Sequence, residues 1–234
     1  MSLSAREALK SCARGLATIV VSPALASYGI RRLVIGRDRA LEGSSQALSL
    51  VPGLLGEYLR RAFLSHTLEY CGPNAVIGFG AVFSKAGSRI EDFVYIGPRC
   101  HIGLAHLERD VLLAPGVHVP SGARAHGTDV SAGVPIREQQ GQLRRVRIGA
   151  GSWVGSNAVV LADVGRNTIV GAGAVVTRAL PDGVVAAGVP ARGENGKTCR
   201  NARPQSSTAA SVSDTCASVS VGKPAIRSAL IAIS

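Results

Sequence analysis

The chain has 234 residues, which suits one domain of medium size with appended segments. Aromatic residues make up only 4% of it, so the core has to be built from aliphatic side chains. The net charge of +11 favours anionic partners such as phosphates, nucleotides, acidic polysaccharide or a lipid surface. Nucleic acid is not a predicted partner, because no basic helix and no interleaving of aromatic with basic residues supports it.

The cysteines bear on the redox compartment. There are five, an odd number, and no two are closely spaced, so they form neither a disulfide framework nor a metal knuckle. We interpret them as reduced thiols and predict a cytoplasmic protein that needs no metal.

Residues 1–70 are predicted to form a helical N-terminal segment. Residues 57–64 mix charged and apolar side chains as an amphipathic helix does. Further upstream, residues 15–30 carry no charge, but the stretch is too short to span a bilayer comfortably and Pro23 interrupts it. It also has features of a signal peptide. We interpret it as a helix that is buried or that contacts the inner face of the membrane peripherally.

From residue 76 onward, apolar residues recur about every six positions. They are Ile77, Phe83, Ile90, Ile96, Ile102, Leu107, Leu113 and Val119, and, after a gap, Ile148, Val154, Val160, Val170 and Val176. The step from Val160 to Val170 leaves one turn about two residues short. A period of six fits short strands joined by tight turns, which stack as a parallel β-helix with three blocks to a coil. We therefore predict an all-β core of about five coils over residues 71–192.

Two segments depart from the repeat. Residues 126–146 are predicted to form a loop that leaves the β-helix and returns to it, and the stretch that opens this loop contains a single histidine, His126. Residues 193–234 are polar and low in complexity, and we predict that they form a disordered tail.

Four segments in order carry a resemblance to a known family: 121-SGARAHGTD-129, 147-RIGAGSWVGSNAVV-160, 169-IVGAGAVVTRALPDGVVAAG-188 and 188-GVPAR-192. Together with the repeat they resemble the left-handed β-helix, hexapeptide-repeat acyltransferases, and most closely the sugar and polysaccharide O-acetyltransferases. The resemblance implies a left-handed β-helix, a homotrimer with active sites between subunits, and acetyl-CoA as the acyl donor. It implies direct transfer of the acetyl group to a hydroxyl of a sugar or cell-envelope polysaccharide precursor.

The resemblance also assigns roles to individual residues. His126 falls at the position of the catalytic histidine, and a neutral imidazole is a suitable general base near pH 7. Relatives often carry His-x-His here, whereas this chain has Arg124 in place of the first histidine. The resemblance assigns contacts with acetyl-CoA to Ser156, Ala172, Thr177, Arg178 and Arg192.

Two further groups of residues are candidates for a role at the site. The arginines that crowd the loop and its return either attract an anionic substrate or form a solvated basic face; they are Arg137, Arg144, Arg145 and Arg147. The six-residue count places His101, His118 and Trp153 on one face in successive coils. That face either lines the cleft between subunits or packs in the trimer interface.

Two other functions fit parts of the sequence. One is a zinc enzyme similar to the γ-class carbonic anhydrases, with His66, His101 and His106 as the ligands. The other is a β-helix scaffold whose catalytic site has decayed, for which Arg124, the short turn and the unusual tail are the support.

Overall fold

Three helices form the N-terminal part of the computed structural model, which describes residues 3–125, 127 and 133–193. They are α1 (Leu3–Ile35), α2 (Arg37–Ser49) and α3 (Gly53–Thr67). The prediction that Pro23 interrupts the apolar stretch is wrong, because α1 continues through it. Pro23 has no N–H to donate to the Ile19 carbonyl, and the Ser22 hydroxyl donates to that carbonyl instead, at 2.8 Å. The tail predicted from residue 193 onward lies, apart from Gly193, outside the described residues.

The rest of the described chain is a parallel β-helix whose short strands line up in three sheets. Sheet A consists of β1 (Tyr70–Cys71), β4 (Arg89–Ile90), β7 (Ala105–Leu107) and β10 (Val146–Ile148). Sheet B consists of β2 (Val76–Ile77), β5 (Tyr95–Ile96), β8 (Leu112–Leu113), β11 (Trp153–Val154), β13 (Ile169–Val170), β15 (Val185–Ala187) and β16 (Arg192–Gly193). Sheet C consists of β3 (Val82–Phe83), β6 (His101–Ile102), β9 (His118–Val119), β12 (Val159–Val160) and β14 (Val175–Val176).

The core of the β-helix follows the six-residue period. Every apolar position that defined the repeat is at most 1% exposed, and the residue before it in the strand points outward. The predicted parallel β-helix is confirmed, with about six turns rather than the five counted from the sequence. The additional position is Val164, which is joined by single bridges to Ile148 and Leu180 in the neighbouring coils. It is the sheet A position of its coil. The sequence count missed it because the interval from Val160 to Val170 is about two residues shorter than two regular steps.

The corners between sheets B and C contain residues with left-handed backbone. Each crossing from sheet B to sheet C has one such residue, and successive crossings use Gly80, Arg99, Gly116, Asn157 and Gly173, with φ between 57° and 74°. Glycine adopts this conformation without steric cost, and asparagine tolerates it better than most residues. The positions stack from coil to coil, so the corners are aligned along the β-helix.

The helices cover the first coil and satisfy the backbone groups that an earlier coil would have bonded. The N–H of Phe83 donates to Ser45 Oγ at 2.9 Å, and the N–H of Gly80 donates to the carbonyl of Ser49 at 2.9 Å. The buried guanidinium of Arg60 donates through Nε to the carbonyl of Ile77 at 3.0 Å and through Nη1 to Val51 at 2.6 Å. Burial lowers the pKa of this guanidinium. The far end is closed by β16, which pairs antiparallel with β15.

Crossings from sheet C to sheet A are short except for one. The chain passes from Ile102 to Ala105 directly, whereas residues 120–145 separate Val119 from Val146. The predicted loop, residues 126–146, overlaps this segment except for Val146, which begins β10. The segment begins and ends on the same edge of the β-helix. Within it, the described residues include a short 3-10 helix, Ile136–Glu138.

Candidate functional site

The long excursion borders a pocket on the outer face of sheet C. The pocket has a volume of about 380 Å³ and is lined by Ser84, Lys85, His101, Gly103, His118, Pro120, Ser121, Ala125 and Leu143. Two histidines from adjacent coils stand on its floor, and Ala125 and Leu143 come from the two ends of the excursion. The volume is at the lower end of the range typical of small-molecule pockets.

The two histidines of the pocket form a pair. His101 and His118 are aligned across β6 and β9, with Nδ1 of His101 3.1 Å from Nε2 of His118. Since one ring nitrogen must donate and the other accept, the pair needs at least one neutral ring. Partial burial and repulsion from His101 lower the pKa of His118. The lowered pKa favours the neutral form of His118, which is the form that can accept a proton.

Trp153 does not belong to this face, so the prediction that it joins His101 and His118 is wrong. It lies in β11 of sheet B, between Leu112 and Ile169 in the neighbouring coils. The chain leaves the β-helix after a strand of sheet C and re-enters it on sheet A. Counting in steps of six across this break therefore assigns residues to the wrong sheet. Only His101 and His118, which both precede the break, were assigned correctly to one face.

The base of the excursion is fastened by backbone and polar side-chain bonds. The N–H of Arg144 donates to the carbonyl of Ser121 at 2.8 Å, and the N–H of Gln142 donates to that of Arg124 at 2.7 Å. Ser121 Oγ accepts the N–H of Leu104 from the coil below at 3.0 Å. These bonds hold the outgoing and returning arms of the excursion side by side.

The arginines of the return pair with acidic residues of the same chain. Arg144 contacts Asp163, Arg145 contacts Glu69, and Arg147 Nε donates to Glu108 at 2.6 Å. Hydrogen bonds from Arg89 and Arg145 lower the pKa of Glu69. Arg137, by contrast, pairs with the adjacent Glu138 and with no other acidic residue among those that the structure describes. Arg144 and Arg145 therefore anchor the returning end of the excursion, and Arg147 ties β10 to the neighbouring coil, a role that neither of the two predictions had included.

The residues expected to contact acetyl-CoA lie mainly along the two edges of sheet C. Ser156 and Ala172 occupy the sheet B to sheet C corner in adjacent coils, where the Ser156 carbonyl accepts the N–H of Gly173 at 2.8 Å. Thr177 and Arg178 follow β14 at the sheet C to sheet A corner, on the edge from which the excursion leaves. Arg192 is set apart, because it lies in β16 beside Ala187 of sheet B. Four of these five residues thus lie beside sheet C, two at each of its edges.

Arg178 and Arg192 are both exposed, and neither makes an ion pair among the residues described here. A guanidinium with free donors suits a phosphate, because its planar fork matches two phosphate oxygens. His126 lies outside the described residues, while its neighbour Ala125 lines the pocket.

The histidines proposed for zinc are not gathered in this chain. His106, on sheet A, contacts Glu91 at 2.7 Å, whereas His101, on sheet C, contacts His118. His66 is exposed near the end of α3. No group of three or more metal-binding side chains is present within residues 3–125, 127 and 133–193.

Comparison with known proteins agrees with the repeat and the fold. Residues 145–178 match the family described as bacterial transferase hexapeptide (six repeats). Escherichia coli K12 has two similar proteins. The putative lipopolysaccharide biosynthesis O-acetyl transferase WbbJ is 31% identical over 121 residues, which cover 49% of this chain and 60% of WbbJ. The galactoside O-acetyltransferase is 47% identical over 49 residues, or 20% of this chain and 24% of the relative.

A solved structure shows the same fold. The maltose O-acetyltransferase of Clostridium difficile 630 superposes with a TM-score of 0.59 at 18% identity, covering 68% of this chain and 85% of the other. The matches to the two Escherichia coli proteins span less than two thirds of those relatives' lengths. These similarities confirm the predicted resemblance to the hexapeptide-repeat acyltransferases.

Proposed function

We propose that the protein is an acyltransferase that moves the acetyl group of acetyl-CoA to a hydroxyl of a sugar or of a cell-envelope polysaccharide precursor. The observation that carries the proposal is the pocket on sheet C, because it lies where the repeat is interrupted and is bordered by the residue next to His126. The O-acetyltransferase names of the Escherichia coli relatives support the same chemistry.

The proposed reaction is a direct transfer with His126 as general base. The acceptor oxygen attacks the carbonyl carbon of the thioester while the imidazole of His126 removes the hydroxyl proton. The tetrahedral intermediate then collapses, the carbon–sulfur bond breaks, and the imidazolium protonates the leaving thiolate. The products are the O-acetylated sugar and free CoA, and no acyl-enzyme forms.

The pair of histidines in the pocket is a second candidate for the base. His118 has a lowered pKa and a neighbouring ring that can share its proton, and it faces the same pocket. A positioned histidine in either place supplies the proton acceptor that a sugar hydroxyl requires. Separate His126→Ala and His118→Ala variants distinguish the two, because only loss of the true base reduces turnover at saturating acetyl-CoA.

The residues at the two edges of sheet C fit the donor. In this proposal the backbone at Ser156 and Ala172 meets the thioester and pantetheine arm, and the Ser156 N–H is placed to stabilise the oxyanion. Thr177, Arg178 and Arg192 serve the nucleotide end, where arginine suits phosphate. We also propose a cytoplasmic homotrimer, in which Arg192 of one subunit approaches sheet C of another and completes the donor site.

The test is a transfer screen with acetyl-CoA and longer acyl-CoAs against a panel of cell-envelope glycans and their nucleotide-linked precursors, read by mass spectrometry. A mass increase of one acetyl group on a glycan, with release of free CoA, is the expected result. The decayed-scaffold alternative predicts neither transfer nor retention on immobilised CoA. Light scattering tests assembly, and a fully active monomer would contradict the shared site.

A further inference from the structure

The outward side of α1 carries an apolar stripe that no other part of the described chain covers. We define the outer face of α1 by exposed apolar residues that helical periodicity places on one side: Leu16, Ile19, Val20, Pro23, Ile30, Leu33 and Val34. The large aliphatic side chains among them are between 52% and 81% exposed. The stripe from Leu16 to Val34 is about 27 Å long at the rise of an α-helix. Scattered exposed apolar residues are normal, but a continuous stripe of this size marks an interaction surface.

The charged side chains within residues 8–37 have one sign. Residues 8–37 contain five cations, Lys10, Arg14, Arg31, Arg32 and Arg37, and no aspartate or glutamate. Arg32 and Arg39 are exposed at the C-terminal side of the stripe. Two copies meeting through this segment would bring only cations to the contact. An anionic lipid surface would neutralise them, at about 1 kcal/mol for each basic residue near the surface.

The inner side of α1 is fixed to the protein, which determines how the helix can meet a bilayer. Ala17, Val21 and Tyr28 are buried, and Tyr28 packs edge-on against Phe63 of α3. Arg14 donates to Asn74 at 2.7 Å and Arg31 donates to Ser44 at 2.6 Å, so both ends of the stripe are tied to the body. By length and composition alone, Lys10–Ile35 qualifies as a helix that can cross a membrane. Crossing would break these contacts, whereas lying flat keeps them.

We propose that α1 binds flat on an anionic membrane, with its outer face in the headgroup region and the flanking arginines on lipid phosphates. A large apolar face, a cationic border and a helix fixed along its length are the features of an interfacial helix. Leu54 and Leu55, half-exposed or more at the start of α3, extend the apolar surface beside it. This inference stands on α1 and α3 and does not depend on the proposed acyltransferase activity.

The experiment is co-sedimentation of the full chain with vesicles of phosphatidylcholine, with and without phosphatidylglycerol. We expect binding to the anionic vesicles, weaker binding to the neutral ones, and weakening by salt. The double variant Ile19→Glu/Ile30→Glu is expected to lower the bound fraction at least about tenfold, because two charges enter the apolar face. Val189→Glu is the matched control, since Val189 is 72% exposed and Ile19 is 70% exposed.

Tryptophan fluorescence tests directly whether α1 contacts the lipid. In a Trp153→Phe background, Ile19→Trp is expected to show a blue-shifted emission when anionic vesicles are added. Wild-type protein that stays in the supernatant, or a double variant that binds like wild type, would overturn the proposal. So would a fall in the mass of the vesicle-free protein in the double variant, because a second copy would then be the occupant of the face.

Discussion

The crossings from sheet C to sheet A differ in length and in what they build. Four of them join the sheets through two to five residues, and their neighbouring strands are held by the backbone ladder over buried aliphatic side chains. The fifth uses residues 120–145 and is held at its base by Ser121, Arg144 and Arg145. The short crossings make the β-helix, and the long one makes the pocket. Changes to the two kinds of crossing should therefore affect different measurements.

The largest expected effect on stability comes from a buried position of a coil. Ile96 is fully buried in β5, away from the pocket, and Ile96→Ala should lower the free energy of unfolding by about 2–5 kcal/mol. Ile136→Ala changes an exposed residue of the excursion and should cost less than about 0.5 kcal/mol. Chemical denaturation measures both. Equal losses in the two variants would show that the excursion is part of the cooperative core.

For turnover, the larger effect is expected from a change in the excursion. His126→Ala should lower turnover by about 100-fold or more while acetyl-CoA binding stays close to wild type, since positioned acid–base catalysis contributes about 10² to 10⁴. His66→Ala, at an exposed position near the end of α3, is the control and should leave turnover unchanged. Steady-state kinetics and calorimetric binding make the comparison. A His126→Ala enzyme with near-normal turnover would transfer the role to the histidine pair.

A smaller effect is expected from loosening the base of the excursion. Arg145 contacts Glu69 and donates to the carbonyl of Gly87 at 2.7 Å. Because the pair is exposed, Arg145→Gln should cost less than about 1 kcal/mol of global stability. It should nevertheless raise the rate of limited proteolysis within residues 127–143 several-fold. Arg137→Gln, which among the described residues removes a contact with the adjacent Glu138, should leave the cleavage rate as it is.

The smallest effect concerns pH. The folded-state pKa of His118 is lowered, so the unfolded chain binds more protons than the folded chain as the pH falls through the ordinary histidine range. The contribution of His118 to stability is therefore present above that range and is lost below it, so stability is compared at about pH 7.5 and about pH 5.5, on either side of the ordinary histidine pKa of about 6.5. His118→Gln should remove this part of the pH dependence, and His66→Gln should not. Urea denaturation at both pH values tests it, and an unchanged slope in His118→Gln would refute it.

The coils were predictable from the sequence because their rule is local. One apolar residue every six positions determines which side chain points inward, and each of the positions from Ile77 to Val176 in that pattern is buried. The position that the count missed is Val164. It follows a corner that is two residues shorter than a regular six-residue step, so Val160 and Val170 are ten residues apart. A regular repeat can be followed along the chain without knowing what any residue meets in space.

The site was less predictable because its contacts join distant parts of the chain. Arg145 and Glu69 are 76 positions apart, and nothing in the spacing of either residue indicates the other. The alignment of His101 with His118 could be predicted by counting residues, because the two are one coil apart. The position of Trp153 could not, because the excursion interrupts the count. The roles of His126, Ser156, Ala172, Thr177, Arg178 and Arg192 stay predictions that rest on the resemblance.

The capping of the first coil by α2 and α3 has a consequence for solubility. A stack of parallel strands exposes unpaired N–H and C=O groups at both ends, and such edges invite end-to-end growth into fibres. Here Ser45, Ser49 and Arg60 occupy the hydrogen-bonding groups at one end, and the antiparallel β16 changes the strand direction at the other. Ser45→Ala combined with Arg60→Met would leave backbone groups at one end without these partners. We therefore expect a chain that loses its helical cap to form fibrils.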